Sequence, residues 1–446
     1  MNEFGAKLSE KLKIEGNRVL KGEVSVSGAK NAVLKLMAAA LLASDTSVIY
    51  NVPDLTDVQI MLNVINELGV KTEYNKLKKS VTIHAQNITA VKARYDLVSK
   101  MRASFVVLGA LVGRCKEAVV ALPGGCAIGE RRVDFHIKGL EALGTKVKIE
   151  NGYVQAKTTK LVGTDIYLDI PSVGATENLM LASVLAEGAT KIQNAAQEPE
   201  IVDLANFLNT MGADISGAGT SEIVINGVKQ SDLHGIEYST IPDRIEAGTY
   251  MAAIVATKGK GIIRNVFPNH LTFFTDKLIK MGASVKLLEP NAIEVSARNR
   301  LSAVNIVTQP YPGFPTDLQA IAMAMLTTAS DVSIITESLY ENRFMQVPEL
   351  RRMGADIHQE RNHSIVRGVK KLSSANLRAS DLRAGASLII AALMAEGISQ
   401  IDCLHHIDRG YEHFEEKFSK LGARIVRIKD VPQFIKQEVR CNEFSI

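Results

Sequence analysis

Apolar residues along this 446-residue chain fall into two helical patterns that take turns. The first is short, alanine-rich and apolar on every side: 35–43 (KLMAAALLA), 106–113 (VVLGALVG), 179–188 (LMLASVLAEG), 250–259 (YMAAIVATKG), 320–329 (AIAMAMLTTA) and 388–397 (LIIAALMAEG). A helix without a polar face has to be surrounded by protein, so these six segments are expected at the centre of the fold. The second pattern, as in 58–68 (VQIMLNVINEL), 202–211 (VDLANFLNTM) and 411–421 (YEHFEEKFSKL), mixes apolar and polar faces and suits a half-exposed helix. Short β-branched runs such as 166–170 and 332–336 read as strands between the helices.

Each second helix runs into the phrase Leu/Met-Gly-small. Its glycines are Gly69, Gly144, Gly212, Gly282, Gly354 and Gly422, at steps of 75, 68, 70, 72 and 68. A near-constant step marks copies of one supersecondary unit. Six copies predict an α/β protein of two domains with three repeats each. The run 20–27 reads as the strand ahead of a first helix, and nothing equivalent is read after the sixth glycine. Residues 1–28 are therefore expected to join 239–428 in one domain, with 29–238 forming the other. The crossings are expected near 26–28 and 236–242. Residues 429–446 fall outside the repeat and read as a surface extension.

Composition narrows the class. Net charge is only +4, from 52 Lys+Arg against 48 Asp+Glu, so no general nucleic-acid binding is expected and any anion site must come from local clustering. Cys115, Cys126, Cys403 and Cys441 form no CxxC pair, and the nine histidines form no HExxH group, so neither a metal nor a disulfide framework is expected. No GxxxxGK[ST] phosphate loop is present, and no cofactor is expected. The first 14 residues lack a secretory apolar core, and the longest apolar runs reach about ten residues, short of the roughly 20 that span a bilayer. A cytoplasmic protein with no membrane partner is expected.

Charge placement points to chemistry. A cation at a helix start opposes the helix dipole. Yet Lys30 (SGAKNA), Arg102 (KMRAS), Arg244 (PDRIEAG) and Arg383 (SDLRAGAS) stand there ahead of buried helices, and Arg343 (ENRFMQVPEL) and Arg409 (HIDRGYEHFEE) ahead of amphipathic ones. Singly, each is more often a partner for a nearby carboxylate. Six facing one cleft would form a strong site for a small polyanion. Cys126 lies in a Pro-Gly-Gly loop shortly before Arg131 and Arg132, cations that favour its thiolate; a placed thiol serves as acid or nucleophile, and the alternative is an idle exposed cysteine. Cys115, beside an apolar run, reads as core. Asp317, opening the fifth buried segment, is either a helix cap or a general base kept ionised by neighbouring cations.

In order along about 20–425, SGAKNA, KMRAS, LPGGCAIGERRVDFHIKGLEALG, PSVGAT, GFPTDLQA, ENRFMQVPEL, DLRAGASL and HIDRGYE resemble the UDP-N-acetylglucosamine enolpyruvyl transferase family. The resemblance implies a two-domain inside-out α/β barrel with its active site in the interdomain cleft. It implies transfer of the enolpyruvyl group of phosphoenolpyruvate to the 3′-hydroxyl of UDP-N-acetylglucosamine, in peptidoglycan synthesis, with release of phosphate. Cys126, Asp317, Lys30 and Arg409 take the catalytic places. Lys30, Asn31, Arg131, Arg343, Arg383 and Arg409 match the phosphoenolpyruvate side. Arg102, Arg131, Arg132, Val133, Asp134, Phe135, Ser172, Val173, Gly174, Asp317 and Leu339 match the nucleotide-sugar side. The alternatives are the related transfer to shikimate 3-phosphate and a regulatory copy that binds nucleotide sugar without turnover.

Overall fold

A computed structural model describes residues 9–124, 128–129 and 133–430. The described residues divide into two compact units: a first within 26–244 with 309–315, and a second of 9–25, 245–308 and 316–430.

The all-apolar segments are helices. They are Lys30–Ala39, Val107–Cys115 and Val173–Ser183 in the first unit, then Arg244–Ala256, Gln319–Leu326 and Leu382–Met394. Every residue of Gln319–Leu326 is buried, as is every residue from Val107 to Gly113. Most of these helices begin ahead of the apolar run, because the polar residues before it supply the first turn. The amphipathic segments form Thr56–Glu67, Pro199–Thr210 and Phe414–Lys420. The last is shorter than its pattern, since His413 takes the left-handed conformation (φ 46°) and leaves Tyr411 in the turn before it.

Among the described residues the strands make six sheets of four, all to one design. One is ordered Glu237–Ser239, Thr46–Tyr50, Ser80–His84, Lys71–Asn75, its first pair parallel and the others antiparallel. In Thr46–Tyr50 the buried residues are Ser47 and Ile49, every second position, so one sheet face packs on the helices and the other meets water. Helices inside and sheets outside, repeated three times per unit, are the inside-out α/β arrangement that the family resemblance implies.

The C-terminal end of the sixth repeat differs from expectation. A strand does follow the sixth glycine: Arg424–Asp430 pairs antiparallel with Ser9–Glu15, from Ser9 opposite Asp430 to Glu15 opposite Arg424. Its alternation of basic and apolar residues (RIVRIKD) was hidden by charge. Ser9–Glu15 also pairs with Ile398–Asp402, filling the place that a later hairpin strand fills in the other sheets. The next run, Lys21–Ser25, is the edge strand of another sheet and pairs parallel with Lys260–Arg264.

The repeated glycines share one conformation. All six have positive φ, from 81° at Gly69 to 111° at Gly212. At Gly212 the N–H donates to Asn209 O (3.0 Å) and the Ala213 N–H to Leu208 O (3.0 Å); Gly354 and Ala355 repeat this onto Arg351 O and Leu350 O. This is the paired 5→2 and 6→1 bonding that ends a helix through a left-handed residue. An added Cβ at Gly354 meets nothing within 4 Å, whereas at Gly212 it falls 2.3 Å from Asp232 O. Gly354→Ala is therefore expected to cost about 1–2 kcal/mol from backbone strain alone, and Gly212→Ala clearly more. Denaturant unfolding of both variants checks this; equal losses would contradict it.

Candidate functional site

In the first unit, Lys30 opens helix Lys30–Ala39 and reaches Asp57 Oδ2 at 2.8 Å, with Asp57 buried. Its backbone N–H donates to Asp243 Oδ2 (3.1 Å). Asn31 follows, half-buried, and its carbonyl accepts from Lys35 Nζ (2.8 Å). Arg244 pairs with Glu200 (Nε to Oε1, 3.0 Å) and its guanidinium lies 5.5 Å from the Tyr311 ring centroid. The cations set against the helix dipole are thus offset by carboxylates from neighbouring elements. Asp57 and Glu200 carried no signal in the sequence, because each lies on a different element from its partner.

Deeper in this unit Lys35 Nζ lies 3.1 Å from Glu177 Oε1. Burial pushes Glu177 up to about 7; Lys35 opposes the shift, and Glu200 and Glu198 add to it. The folded protein then keeps a proton that the unfolded chain releases above its ordinary 4.5. Stability from this group is fullest below about 4.5 and declines as pH rises through 7. Glu177→Gln is expected to flatten that part of the melting-temperature profile between pH 5 and 8. An unchanged slope would show that Glu177 is not the titrating group.

Three segments of the proposed nucleotide-sugar side meet around His136. Arg102 opens the short turn Arg102–Val106, Val133 and Phe135 pack on the core next to His136, and Ser172 caps helix Val173–Ser183 by accepting from the Ala175 N–H (3.4 Å). Asp134 is the first residue of helix Asp134–Ala142. A Cβ on Gly174 would lie 3.3 Å from His136 Cε1, so any side chain there would push the ring aside by a few tenths of an ångström. Asn178 accepts from the Gly109 N–H (2.6 Å), which turns its amide to donate to His136 Nδ1 (2.8 Å). Burial first, then the Arg102 charge, pulls His136 down to about 3, so the ring is neutral at pH 7. His136 and Asn178 were not singled out in the sequence, although His136 lies inside the quoted motif LPGGCAIGERRVDFHIKGLEALG. Gly125, Cys126, Ala127, Glu130, Arg131 and Arg132 lie outside the described residues. Cys115 is half-buried against the core, and burial raises its thiol.

The second unit holds a cluster built on Asp317. It is not a cap: the helix Gln319–Leu326 has Leu318 at its N-cap with no side-chain bond, and Asp317 sits in the turn Thr316–Leu318. Its Oδ1 accepts from Arg343 Nη2 (2.6 Å) and its Oδ2 from Arg383 Nη2 (2.8 Å). Burial pushes this carboxyl up, but Arg383 and Arg343 together outweigh it and hold Asp317 well below the usual range. Arg343 stands in the turn before helix Val347–Arg352, not inside it; Arg383 is the second residue of Leu382–Met394, whose cap is Asp381. Arg343 Nη1 donates to Thr316 Oγ1 (2.9 Å), and Thr316 donates on to Glu337 Oε2 (2.8 Å). Glu337, buried, also accepts from Thr308 Oγ1 (2.7 Å) and from the N–H groups of Leu339 (2.9 Å) and Tyr340 (3.1 Å). Arg383 Nη1 donates to Tyr411 OH (3.2 Å), which is in contact with Thr249 Oγ1 (2.9 Å).

Leu339 is therefore fixed by the same carboxylate that orients Arg343 through Thr316. Arg409 is half-buried in the turn before Phe414–Lys420, close enough for its charge to act on His406. Thr316, Glu337 and Tyr411 are the members sequence reasoning missed. Thr316 and Tyr411 lie inside the quoted motifs, whereas Glu337 gave no local sign. The site residues thus gather in two sets: Lys30, Asn31, Arg102, 133–135 and 172–174 in the first unit, and Asp317, Leu339, Arg343, Arg383 and Arg409 in the second. Among the described residues, no three His, Cys, Asp or Glu side chains converge as a metal site.

Comparison with known proteins follows the same line. A family profile described as EPSP synthase (3-phosphoshikimate 1-carboxyvinyltransferase) matches residues 14–418. UDP-N-acetylglucosamine 1-carboxyvinyltransferase 2 of Carboxydothermus hydrogenoformans is 52% identical over 422 residues, covering 94% of this chain and 100% of its own. UDP-N-acetylglucosamine 1-carboxyvinyltransferase of Thermotoga maritima is 51% identical, covering 93% and 98%. The crystal structure of the enolpyruvyl transferase NikO from Streptomyces tendae superposes with a TM-score of 0.85 at 27% identity, over 95% of this chain and 100% of that one. EPSP synthase from Acinetobacter baumannii shares the fold at 18% identity, with a TM-score of 0.72 over 94% of this chain and 100% of that one. The chain belongs to the enolpyruvyl (carboxyvinyl) transferase family and, within it, to the UDP-N-acetylglucosamine 1-carboxyvinyltransferases.

Proposed function

We propose that this protein transfers the enolpyruvyl group of phosphoenolpyruvate to the 3′-hydroxyl of UDP-N-acetylglucosamine, releasing phosphate, as a cytoplasmic step of peptidoglycan synthesis. The observation that carries the reading is half-identity to such transferases along almost the whole chain, joined to a carboxylate seated between two buried arginines. In the addition, the sugar O–H bond breaks and its oxygen bonds the substituted enol carbon, while the methylene carbon gains a proton. In the elimination, a C–H bond of that methyl breaks, the double bond reforms and the C–O bond to phosphate breaks.

Asp317 is the proposed acceptor of the hydroxyl proton and Cys126 the proposed donor to carbon. Lys30, Arg131 and Arg409 would hold the phosphate, Arg343 and Arg383 the substrate carboxylate. Several fixed cations neutralise and orient a substrate that carries both groups. Arg102, 133–135, 172–174 and Leu339 would seat the nucleotide sugar.

Phosphate release that requires both phosphoenolpyruvate and UDP-N-acetylglucosamine tests the reading. Release driven by shikimate 3-phosphate instead would replace the acceptor, and nucleotide-sugar binding without any release would reduce the protein to a binding role. A second expectation concerns the thiol. A small phosphonate epoxide such as fosfomycin should add to Cys126, adding its mass to the peptide that carries it. An unmodified peptide with full activity after exposure would remove Cys126 from the reaction.

A further inference from the structure

The arginine pair assigned to the substrate carboxylate already holds a carboxylate. Each oxygen of Asp317 takes one Nη2–H, from Arg343 at 2.6 Å and Arg383 at 2.8 Å, which is how two guanidinium groups would share a substrate carboxylate. Both arginines are held independently of Asp317, one by Thr316 and one by the Tyr411 hydroxyl, so their positions do not depend on it. Arg343 Nε is buried with no hydrogen-bond partner among the described residues, a donor left for something not yet bound. Arg343 is 7% exposed and Arg383 4%, so water cannot easily take the place of a lost anion.

We infer that Asp317 is an internal stand-in for the carboxylate of phosphoenolpyruvate, and that the incoming substrate displaces it from Arg343 and Arg383. The inference rests on the carboxyvinyl-transfer reading and adds a competition at its centre. A tethered group that fills a site most of the time weakens an outside ligand by the fraction of time the site is open. If that fraction is about one-tenth, the measured dissociation constant is roughly tenfold larger than the intrinsic one.

The displacement has a chemical consequence. Between two guanidinium groups, Asp317 has both oxygens engaged and is a poor proton acceptor. Moved off by substrate, it regains a free oxygen and basicity. The base is then available only after the enol substrate is seated, so the sugar hydroxyl is not activated in its absence.

The test is calorimetric titration of phosphoenolpyruvate, without nucleotide sugar, into wild type and three variants. Asp317→Asn and Asp317→Ala remove the competing charge and are expected to bind about tenfold or more tightly. Asp317→Glu keeps a tethered carboxylate and is expected to stay within about threefold of wild type. Melting temperatures show whether each variant is folded, and the isosteric Asn leaves the anchors on Thr316 and Tyr411 in place. Unchanged or weaker binding by the Asn and Ala variants overturns the inference, as does equal tightening by Glu. Wild type that releases no phosphate with both substrates would instead remove the reading beneath it.

Discussion

Asp317→Asn should lower two-substrate phosphate release by roughly a hundred- to ten-thousand-fold, the usual contribution of a general base. The amide matches the carboxylate in shape and cannot take a proton. Neither guanidinium should drift far, because Thr316 and Tyr411 still hold them. The same substitution that tightens binding of the enol substrate should thus nearly abolish its use, a divergence that general loss of structure would not produce. Initial rates at saturating concentrations of both substrates check this. A rate within about tenfold of wild type would move the base elsewhere.

The largest expected loss of stability lies at Lys417. Its ammonium sits 2.6 Å from Glu246 Oε1 and 3.8 Å from Glu412 Oε2, and Tyr250 OH donates to the same Glu246 oxygen (3.2 Å). Both carboxylates are at most 3% exposed. Lys417→Ala takes their cation away while burial continues to penalise the charge, at a cost of about 3–5 kcal/mol. Lys71, whose pair with Glu73 lies open to solvent, serves as the contrast: its removal should leave the unfolding midpoint unchanged. Urea unfolding of both variants decides the matter. Similar losses at the two sites would mean that burial is not what gives the Lys417 pair its weight.

Features that depend on one stretch of chain were readable in the sequence, and those that depend on pairing were not. The six central helices announced themselves because segments such as AIAMAML have no face that tolerates water. The helix-ending glycines were readable because a left-handed residue after a helix strongly favours glycine. Arg343, Arg383 and Asp317 stood out as charges near helix starts. That Asp317 bridges the two arginines was not visible, since they lie 26 and 66 positions away. Glu337 was missed for a related reason. A carboxylate satisfied by two hydroxyls and two backbone N–H groups has no charged partner to suggest its role. Arg424–Asp430 was overlooked as a strand because charge alternates with its apolar residues, and its partner is at the opposite end of the sequence.

That last pairing shapes how the protein must be made. Ser9–Glu15 leaves the ribosome long before both of its neighbours, Ile398–Asp402 and Arg424–Asp430, are translated. Throughout synthesis this strand has two unsatisfied edges, the kind of template that invites pairing with another nascent chain. Its sequence, SEKLKIE, places lysine or glutamate at alternate positions along most of its length, a charge pattern that discourages such adventitious partners until the correct ones emerge.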